Sequence, residues 1–405
     1  MHIIHPNLPR SVLLALILSV SVAPFATAQA GLLLGGKEQA KVATRTNGLK
    51  ADADAPWLMA YYVGYQNSYL KPNDVDYSLM THIVVGGVGV NADGTLDEHW
   101  HMKNGDGHAM ALDVGERADR AGVKQLIWLG GPNEESDFFS ATTDARRATF
   151  VKNILALIDN IGYDGVDIDW EPIRKGDEAQ ILALVRDLRE ARPNLLIAVP
   201  VNWVQTTLVG KKDLSLYKDL SAYVDRLFIM SYSMAGAWPG WKSWHAGALT
   251  GDTSTTPGSV QTSAKAYLEA GVPNNILGIG IGTYATCWEY PIKTPSQTMP
   301  SKYAPGDIGV MSMRTLMGDY YSKKYEKWDS RAKVPYLSFK KARGDFKCGF
   351  ISYENERSIR EKMAYVKKEQ LGGAIVWNIG TGYFPDASRS KRHPLLKTAW
   401  EELVR

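Results

Sequence analysis

The sequence predicts an α/β chain folded as a (β/α)8 TIM barrel, with a small inserted lobe between the seventh and eighth strands. Three observations predict it. Short apolar, β-branched runs recur along the chain, and most are followed by a helical stretch. Eight such runs fit within 405 residues, a length suited to one large barrel. The runner-up, an open doubly wound sheet, usually needs a Gly-rich phosphate loop after an early strand. Gly86-Gly87-Val88-Gly89 lacks that spacing and reads as a strand-end turn.

The N-terminal residues 1–30 read as a secretory signal peptide. Arg10 supplies the positive charge, residues 11–22 form a largely apolar run, and Ala26-Thr27-Ala28 and Ala28-Gln29-Ala30 are small-x-small cleavage candidates. An uncleaved membrane anchor is the alternative, but the run is short for a bilayer span. Residues 31–54, rich in Gly, Ala, Lys, Thr and Asp, read as a flexible leader. The barrel domain is expected over residues 55–405. Its strands are expected at 58–63, 82–88, 125–129, 165–170, 195–201, 226–230, 276–281 and 373–377. Helices are expected at 144–161, 178–191 and 358–369. Asp144 is the expected N-cap of the first of these, whose Phe150, Ile154, Leu157 and Ile161 recur at helical spacing. The inserted lobe falls at about 284–350, where Tyr- and Lys-rich segments precede a β-like run at 349–353.

Composition narrows the function classes. With 45% hydrophobic and 22% charged residues the chain is globular, and a net charge of +3 gives no basic face for nucleic acid. The mature protein is expected to stay off the membrane and to act as a monomer. In an exported chain Cys287 and Cys348 are expected to pair, with two buried free thiols as the alternative. Two cysteines at that separation argue against a structural zinc. His99, His101 and His108 lie in a polar loop without an evident fourth ligand, so no metal is expected there.

The chemistry concentrates in Asp164-Gly165-Val166-Asp167-Ile168-Asp169-Trp170-Glu171. Side chains alternate along a strand, so Asp167, Asp169 and Glu171 share one face and Val166, Ile168 and Trp170 the other. With the apolar face against helices, the carboxylates point into the barrel near the strand's C-terminal end, where barrel enzymes place their sites. Like charges at such spacing cannot all ionise freely, so at least one proton is retained near neutrality. A protonated acid beside an ionised neighbour suits glycosidic-bond cleavage.

The segment resembles the DxxDxDxE signature of glycoside hydrolase family 18, the chitinase family. The resemblance extends roughly from Trp57 to Val404. Leu58-Met59-Ala60-Tyr61-Tyr62 is similar to the family's first strand and Thr81-His82-Ile83 to its second. Leu129-Gly130-Gly131 resembles the end of the SxGG motif on the third, and Met230-Ser231-Tyr232 the MxY motif on the sixth. Gly372-Gly373-Ala374-Ile375-Val376-Trp377 resembles the eighth strand with its floor tryptophan, and 353–362 the approach to it.

The resemblance implies a chitinase using a substrate-assisted retaining mechanism, an exception to the two-carboxylate scheme. It makes Glu171 the acid and later the base. Asp169 would hold the substrate's acetamido nitrogen, Asp167 would share a proton with Asp169, and Tyr232 would orient the acetamido oxygen. Trp377 would be the apolar floor. Tyr61, Met230 and Ser233 would be further substrate contacts, and chitin or N-acetylglucosamine oligosaccharides the partners. No cofactor or metal is implied. Three departures stand out: Ser233 replaces the usual Asp or Asn, Trp128 stands where Ser begins the third-strand motif, and Pro132-Asn133 follows the paired glycines in place of tryptophan. Trp203, Trp238, Trp241, Trp244 and Trp288 are candidates to offer aromatic faces to sugars around the rim, the alternative being that half of them pack in the lobe. The alternatives are an endo-β-N-acetylglucosaminidase acting on N-glycan cores and a non-catalytic, lectin-like chitin binder.

Overall fold

The computed structural model describes residues 55–405 apart from 103 and 301–307. The expected signal peptide and leader lie outside the described residues. In chain order the strands are β1 (Trp57–Val63), β2 (His82–Val90), β3 (Lys124–Pro132), β4 (Gly165–Glu171), β5 (Leu196–Val201), β6 (Arg226–Ile229) and β7 (Leu277–Gly282). They continue as β8 (Tyr284–Glu289), β9 (Ile308–Ser312), β10 (Glu326–Asp329), β11 (Val334–Arg343), β12 (Cys348–Ser352) and β13 (Gly373–Trp377). Among the described residues, β1 to β7 and β13 form one parallel sheet. Each strand pairs with the next, β13 follows β7, and β1 pairs with both β13 and β2 to close the ring. This is the predicted eight-stranded barrel.

The helices outside it are α1 (Gly107–Ala121), α2 (Glu135–Ala141), α3 (Arg147–Ile161), α4 (Glu178–Ala191), α5 (Ser215–Leu220), α6 (Val260–Glu269), α7 (Glu356–Lys368) and α8 (Pro394–Leu403). Their apolar stripes dictate how they sit. In α4, Ile181, Leu184, Val185 and Leu188 recur at helical spacing and are all buried. The α1 helix opens on Asp106, whose side chain accepts the Ala109 N–H at 2.9 Å, and closes on Gly122 in the left-handed conformation.

Strand alternation separates two cores. Leu58, Ala60 and Tyr62 of β1 face outward into the large cluster shared with the helices. Met59, Tyr61 and Val63 face the barrel axis, where they meet Val84, Leu126, Trp128, Ala198, Phe228 and Ile375. The interior is therefore packed with side chains, not hollow.

Two local expectations need correction. The helix α3 begins at Arg147, not at an Asp144 cap. Arg146 is the capping residue and makes no side-chain cap bond. Two backbone N–H groups, of Arg146 and Arg147, instead bond the Thr143 carbonyl, and the Asp144 carboxylate accepts the Arg147 guanidinium at 2.9 Å. The Gly86–Gly89 stretch is not a turn after β2 but buried within it. A Cβ on Gly86 would lie 2.8 Å from the Trp128 carbonyl oxygen, and one on Gly87 2.6 Å from the His101 ring. The glycines thus admit close approach from β3 and from the loop beyond β2.

The inserted lobe is a five-stranded antiparallel sheet in the order β9-β8-β12-β11-β10. It has its own apolar centre of Trp244, Trp288, Ile292, Val334 and Phe350. Cys287 on β8 and Cys348 on β12 form a disulfide, with Cα atoms 5.5 Å apart and a sequence separation of 61. From β12 the chain enters α7 through a capping box, in which the Asn355 side chain accepts the Ser358 N–H and the Ser358 hydroxyl accepts the Asn355 N–H. There Lys362 and Glu354 form a buried ion pair, and Ser358 Oγ donates to the second Glu354 oxygen at 2.6 Å. Close by, Ser352 Oγ accepts the Ala246 N–H at 3.1 Å. These contacts tie the loop after β6 to the lobe.

Removing one partner of a fully buried ion pair leaves the other charge uncompensated. Lys362→Met should therefore lower unfolding free energy by about 3–5 kcal/mol, and adding Glu354→Gln should restore most of it. Urea unfolding of the two variants checks this. A single variant as stable as the wild type would show that the pair contributes nothing.

Candidate active site

The phase of β4 sets the site. Its strand starts where the Asp164 carboxylate accepts the Gln125 N–H at 2.9 Å. Val166, Ile168 and Trp170 are buried against the helices, and the Trp170 ring stacks on Phe138 of α2 at 5.1 Å and 11°. With that face fixed outward, Asp167, Asp169 and Glu171 point along the barrel interior. Asp167 is fully buried, Asp169 is 7% exposed, and Glu171 is partly exposed at the strand's C-terminal end.

The two deeper carboxylates have different partners. Asp167 Oδ2 accepts the Tyr61 hydroxyl at 2.6 Å. Asp169 Oδ2 accepts the indole N–H of Trp128 at 2.9 Å. Each keeps one buried oxygen, Oδ1, without a hydrogen-bond partner. The hydroxyl next to Asp167 is therefore that of Tyr61. Sequence reasoning saw in Trp128 only a missing serine; its donor role to Asp169 was legible in nothing but its position on β3.

Aromatic rings frame these carboxylates. Trp377, at the end of β13, stands edge-on to Tyr61 at 5.1 Å and to Trp128 at 5.2 Å, and runs nearly parallel to Tyr232 at 6.3 Å and 12°. Tyr232 is held by its neighbours. Ser231 Oγ is 2.9 Å from both the N–H and the carbonyl of Gly280 on β7, and a Cβ on Gly280 would lie 2.7 Å from the Tyr232 ring. Met230 is half-buried, its N–H donating to the Val201 carbonyl at 2.9 Å. Ser233 has a positive φ of 49°, and its hydroxyl bonds the hydroxyl of Tyr284, the first residue of β8. Tyr284, edge-on to Tyr232 at 6.4 Å, was missed by the sequence reasoning. Its only signal was its place two residues past a barrel strand.

Burial dominates the electrostatics. It pushes the Asp167 carboxyl up from 3.8 to about 8, with the Tyr61 hydrogen bond opposing it. Asp169 is held well above the usual range by burial first and then by the charges of Glu171 and Asp167, while the Trp128 N–H pulls the other way. Glu171 is raised by burial. Tyr232 is raised by burial and then by Tyr284 and the carboxylates, so its hydroxyl stays protonated as a donor. The cluster holds protons at neutral pH, as expected of carboxylates crowded in an apolar interior.

At the rim, Trp203 and Trp238 are half-buried and stack on each other at 5.8 Å and 24°. Trp241 is also half-buried. Trp244 and Trp288 are not rim platforms. Both are fully buried in the lobe, where the Trp244 indole donates to the Gly258 carbonyl at 2.9 Å and the Trp288 indole to the Trp244 carbonyl at 3.0 Å. The three histidines do not converge. His99 bonds Asp97, His101 packs edge-on against Trp128 at 5.0 Å, and His108 sits on α1.

A carboxyl raised from 3.8 to about 8 binds its proton more tightly in the folded state. Its contribution to stability is complete at low pH and is lost as pH rises between those two values. Asp167→Asn should therefore flatten the decline in thermal stability between about pH 4 and 8 relative to the wild type. Melting curves across that range check it, and parallel curves for the two proteins would contradict it.

The sequence pattern of "Glycosyl hydrolases family 18" matches residues 58–382. A "Probable endochitinase" of Caenorhabditis elegans is 27% identical over 384 residues, 86% of this chain and 60% of the relative. An "Endochitinase" of Manduca sexta is 26% identical over 360 residues, 80% of this chain and 62% of the relative. The chain thus spans about three-fifths of these two relatives' length. The Ostrinia furnacalis group IV chitinase structure superposes with a TM-score of 0.71 at 24% identity, covering 86% of this chain and all of that one. The human pseudo-chitinase YKL-39, with retained chitooligosaccharide binding, does so with a TM-score of 0.71 at 17% identity, covering 86% and 99%. These two likenesses show the fold. The family match covers most of the barrel and includes the acidic strand β4, and by it this chain belongs to the glycosyl hydrolases of family 18.

Proposed function

We propose that the protein is a secreted chitinase that hydrolyses β-1,4-linked N-acetylglucosamine polymers or oligomers with retention of configuration. The observation that carries this reading is the inward ladder on β4: a partly exposed Glu171, its carboxyl raised by burial, directly above the buried Asp169 and Asp167, with Trp377 and Tyr232 beside it. The endochitinase names of relatives support the substrate class. Secretion is supported by the apolar run and small-x-small sites before residue 30, and by the Cys287–Cys348 disulfide, a bond that persists in oxidising compartments.

In this reading the sugar before the scissile bond packs on Trp377. Glu171 gives its proton to the glycosidic oxygen as that bond breaks. The acetamido oxygen of the same sugar, oriented by the Tyr232 hydroxyl, bonds the anomeric carbon and yields a cyclic oxazolinium ion. Asp169, ionised, accepts the acetamido N–H and offsets the positive charge, while Asp167 keeps the pair's proton. Glu171, now a carboxylate, takes a proton from water as the water opens the oxazolinium, and the acid is restored. The steps need only these side chains, the substrate and one water. Met230, Ser233, Tyr284, Trp203 and Trp238 are assigned to substrate contacts around this centre, and Tyr61 to holding Asp167.

The test is hydrolysis of chitin oligosaccharides with early products resolved by anomer. The wild type should release β-anomers first, and Glu171→Gln should lose roughly 10³-fold in turnover. Activity should fall on the alkaline side as Glu171 loses its proton, at a pH above the ordinary carboxyl range because burial raises it. A wild type that binds the oligomers without cleaving them overturns the catalytic assignment in favour of a sugar-binding role. Cleavage of N-glycan cores alone moves the substrate to that class.

A further inference from the structure

We propose that Trp128 is a positioning residue for Asp169, its indole N–H deciding how that carboxylate faces and which member of the Asp167–Asp169 pair bears the negative charge. The inference rests on the catalytic reading above and extends it to a residue outside the inward ladder.

The geometry is specific. Trp128 lies opposite Asp167 in the β3–β4 register, yet its side chain reaches past that residue to Asp169, one inward position nearer the barrel mouth. The indole is buried and braced on three sides, by His101 edge-on at 5.0 Å, Tyr61 at 6.4 Å and Trp377 at 5.2 Å. Gly131 leaves space for it, since a Cβ there would stand 3.2 Å from the ring. A ring so enclosed holds its N–H in one direction.

The two donors in the site differ in kind. A tyrosine hydroxyl can donate or accept, so Tyr61 can satisfy Asp167 Oδ2 whether or not that oxygen carries a proton. An indole N–H only donates, so it can satisfy Asp169 Oδ2 only when that oxygen is bare. The indole N–H bonds a charged carboxylate more strongly than a neutral carboxyl, so it biases the shared proton towards Asp167 and the charge towards Asp169, against the burial and like charges that raise Asp169. The charges facing Asp169 oppose its ionisation: Glu171 and Asp167 from β4, and Glu134 from the turn after β3. Tyr61 from β1 and Tyr232 from the end of β6 also face it and stay neutral. Trp128 is the opposing hydrogen bond. The Oδ1 of Asp169 that it leaves free of protein partners is the oxygen available to an acetamido N–H.

The experiment compares Trp128→Phe, which keeps a ring and removes the donor, with Trp128→Gln, which keeps a donor and removes the ring. Two readouts are taken. Carbon NMR follows the carboxyl carbons of aspartate-labelled protein against pH, with Asp169 assigned through Asp169→Asn. Turnover of chitin oligosaccharides is followed over the same range. In Trp128→Phe the Asp169 midpoint and the acid limb of turnover should both move up by about one pH unit, the worth of a hydrogen bond to a charged group. Turnover should fall about tenfold with a smaller change in KM. Trp128→Gln should bring the midpoint back towards the wild type. An unmoved midpoint in Trp128→Phe, or equal displacement in both variants, overturns the proposal, since a merely structural tryptophan would not distinguish them. Should Trp128→Phe fail to fold, a wild-type midpoint in Trp128→Gln supports the donor role and a raised one refutes it. The carboxyl titration needs no turnover. A wild type inert on chitin with a shifted Trp128→Phe midpoint sinks the chitinase reading alone, and an active wild type with an unmoved midpoint sinks the Trp128 assignment alone.

Discussion

Two carboxylates buried inside an apolar barrel are the constraint on which the rest of the site depends. Taking an ionised carboxylate out of water is expensive unless donors replace the lost solvation. Here each of Asp167 and Asp169 receives a single side-chain donor and retains one unpaired oxygen. Such a pair is under-satisfied in the resting protein, and the cheapest relief is to keep a proton. That cost is accepted only because the surrounding barrel is over-determined. The closed ladder from β1 round to β13 fixes every strand's register, so β4 cannot slip by one residue without turning its carboxylates into the helices and Trp170 into the interior. In the proposed mechanism the unpaired Oδ1 of Asp169 is what a substrate amide pairs with, so the destabilising feature and the useful one coincide there.

The lobe matters because it supplies a wall to the site from outside the barrel. Its first strand, β8, follows β7 after a single residue, and that short connection delivers Tyr284 to Ser233 and alongside Tyr232. A five-stranded sheet of this kind depends on its apolar face being covered. It is secured here in three ways. The disulfide joins neighbouring strands, the aromatic centre packs Trp244 from the loop after β6 against Trp288 from β8, and the Glu354–Lys362 pair anchors the start of α7. The loop that carries Trp238 and Trp241 is consequently braced against the lobe rather than left to drift over the barrel mouth.

The fold was legible because it is written in periodicity. The runs at 82–88, 165–170 and 373–377 predict β2, β4 and β13 to within two residues, since buried β-branched runs bounded by polar turns have few other readings. The direction of Asp167, Asp169 and Glu171 followed from strand alternation alone. What failed was whatever depended on tertiary neighbours. Asp144 has the chemistry of a cap, but Arg147 claims its carboxylate and the Thr143 carbonyl takes the backbone donors. Gly86 to Gly89 has the composition of a turn, but a glycine run also lets another chain come close, and only the placement of Trp128 and His101 shows which need it serves. Trp244 and Trp288 have the composition of sugar platforms, but the lobe's small core needed large apolar rings to fill it. A side chain's type constrains what it can do; its partners decide what it does.

The departures from the family pattern follow a common physical logic, which is that the polar function has moved rather than vanished. A serine that would have offered a hydroxyl on the third strand is replaced by Trp128, and a donor reappears as an indole N–H aimed two residues further along β4, at Asp169. The Asp or Asn usual after the MxY tyrosine is replaced by Ser233, whose hydroxyl is coupled to the Tyr284 hydroxyl to make a neutral pair. Both changes remove a group that could ionise or turn freely, and both substitute one held by aromatic packing. The second has an electrostatic consequence at the barrel mouth. With no carboxylate at position 233, the Glu171 carboxyl is not raised by a like charge from that side, and burial is the leading cause of its rise. A proton held by desolvation is sensitive to what covers the carboxyl. A sugar bound over Glu171 would exclude more water and hold that proton more firmly, so occupancy of the site itself would help to keep the acid in its reactive form.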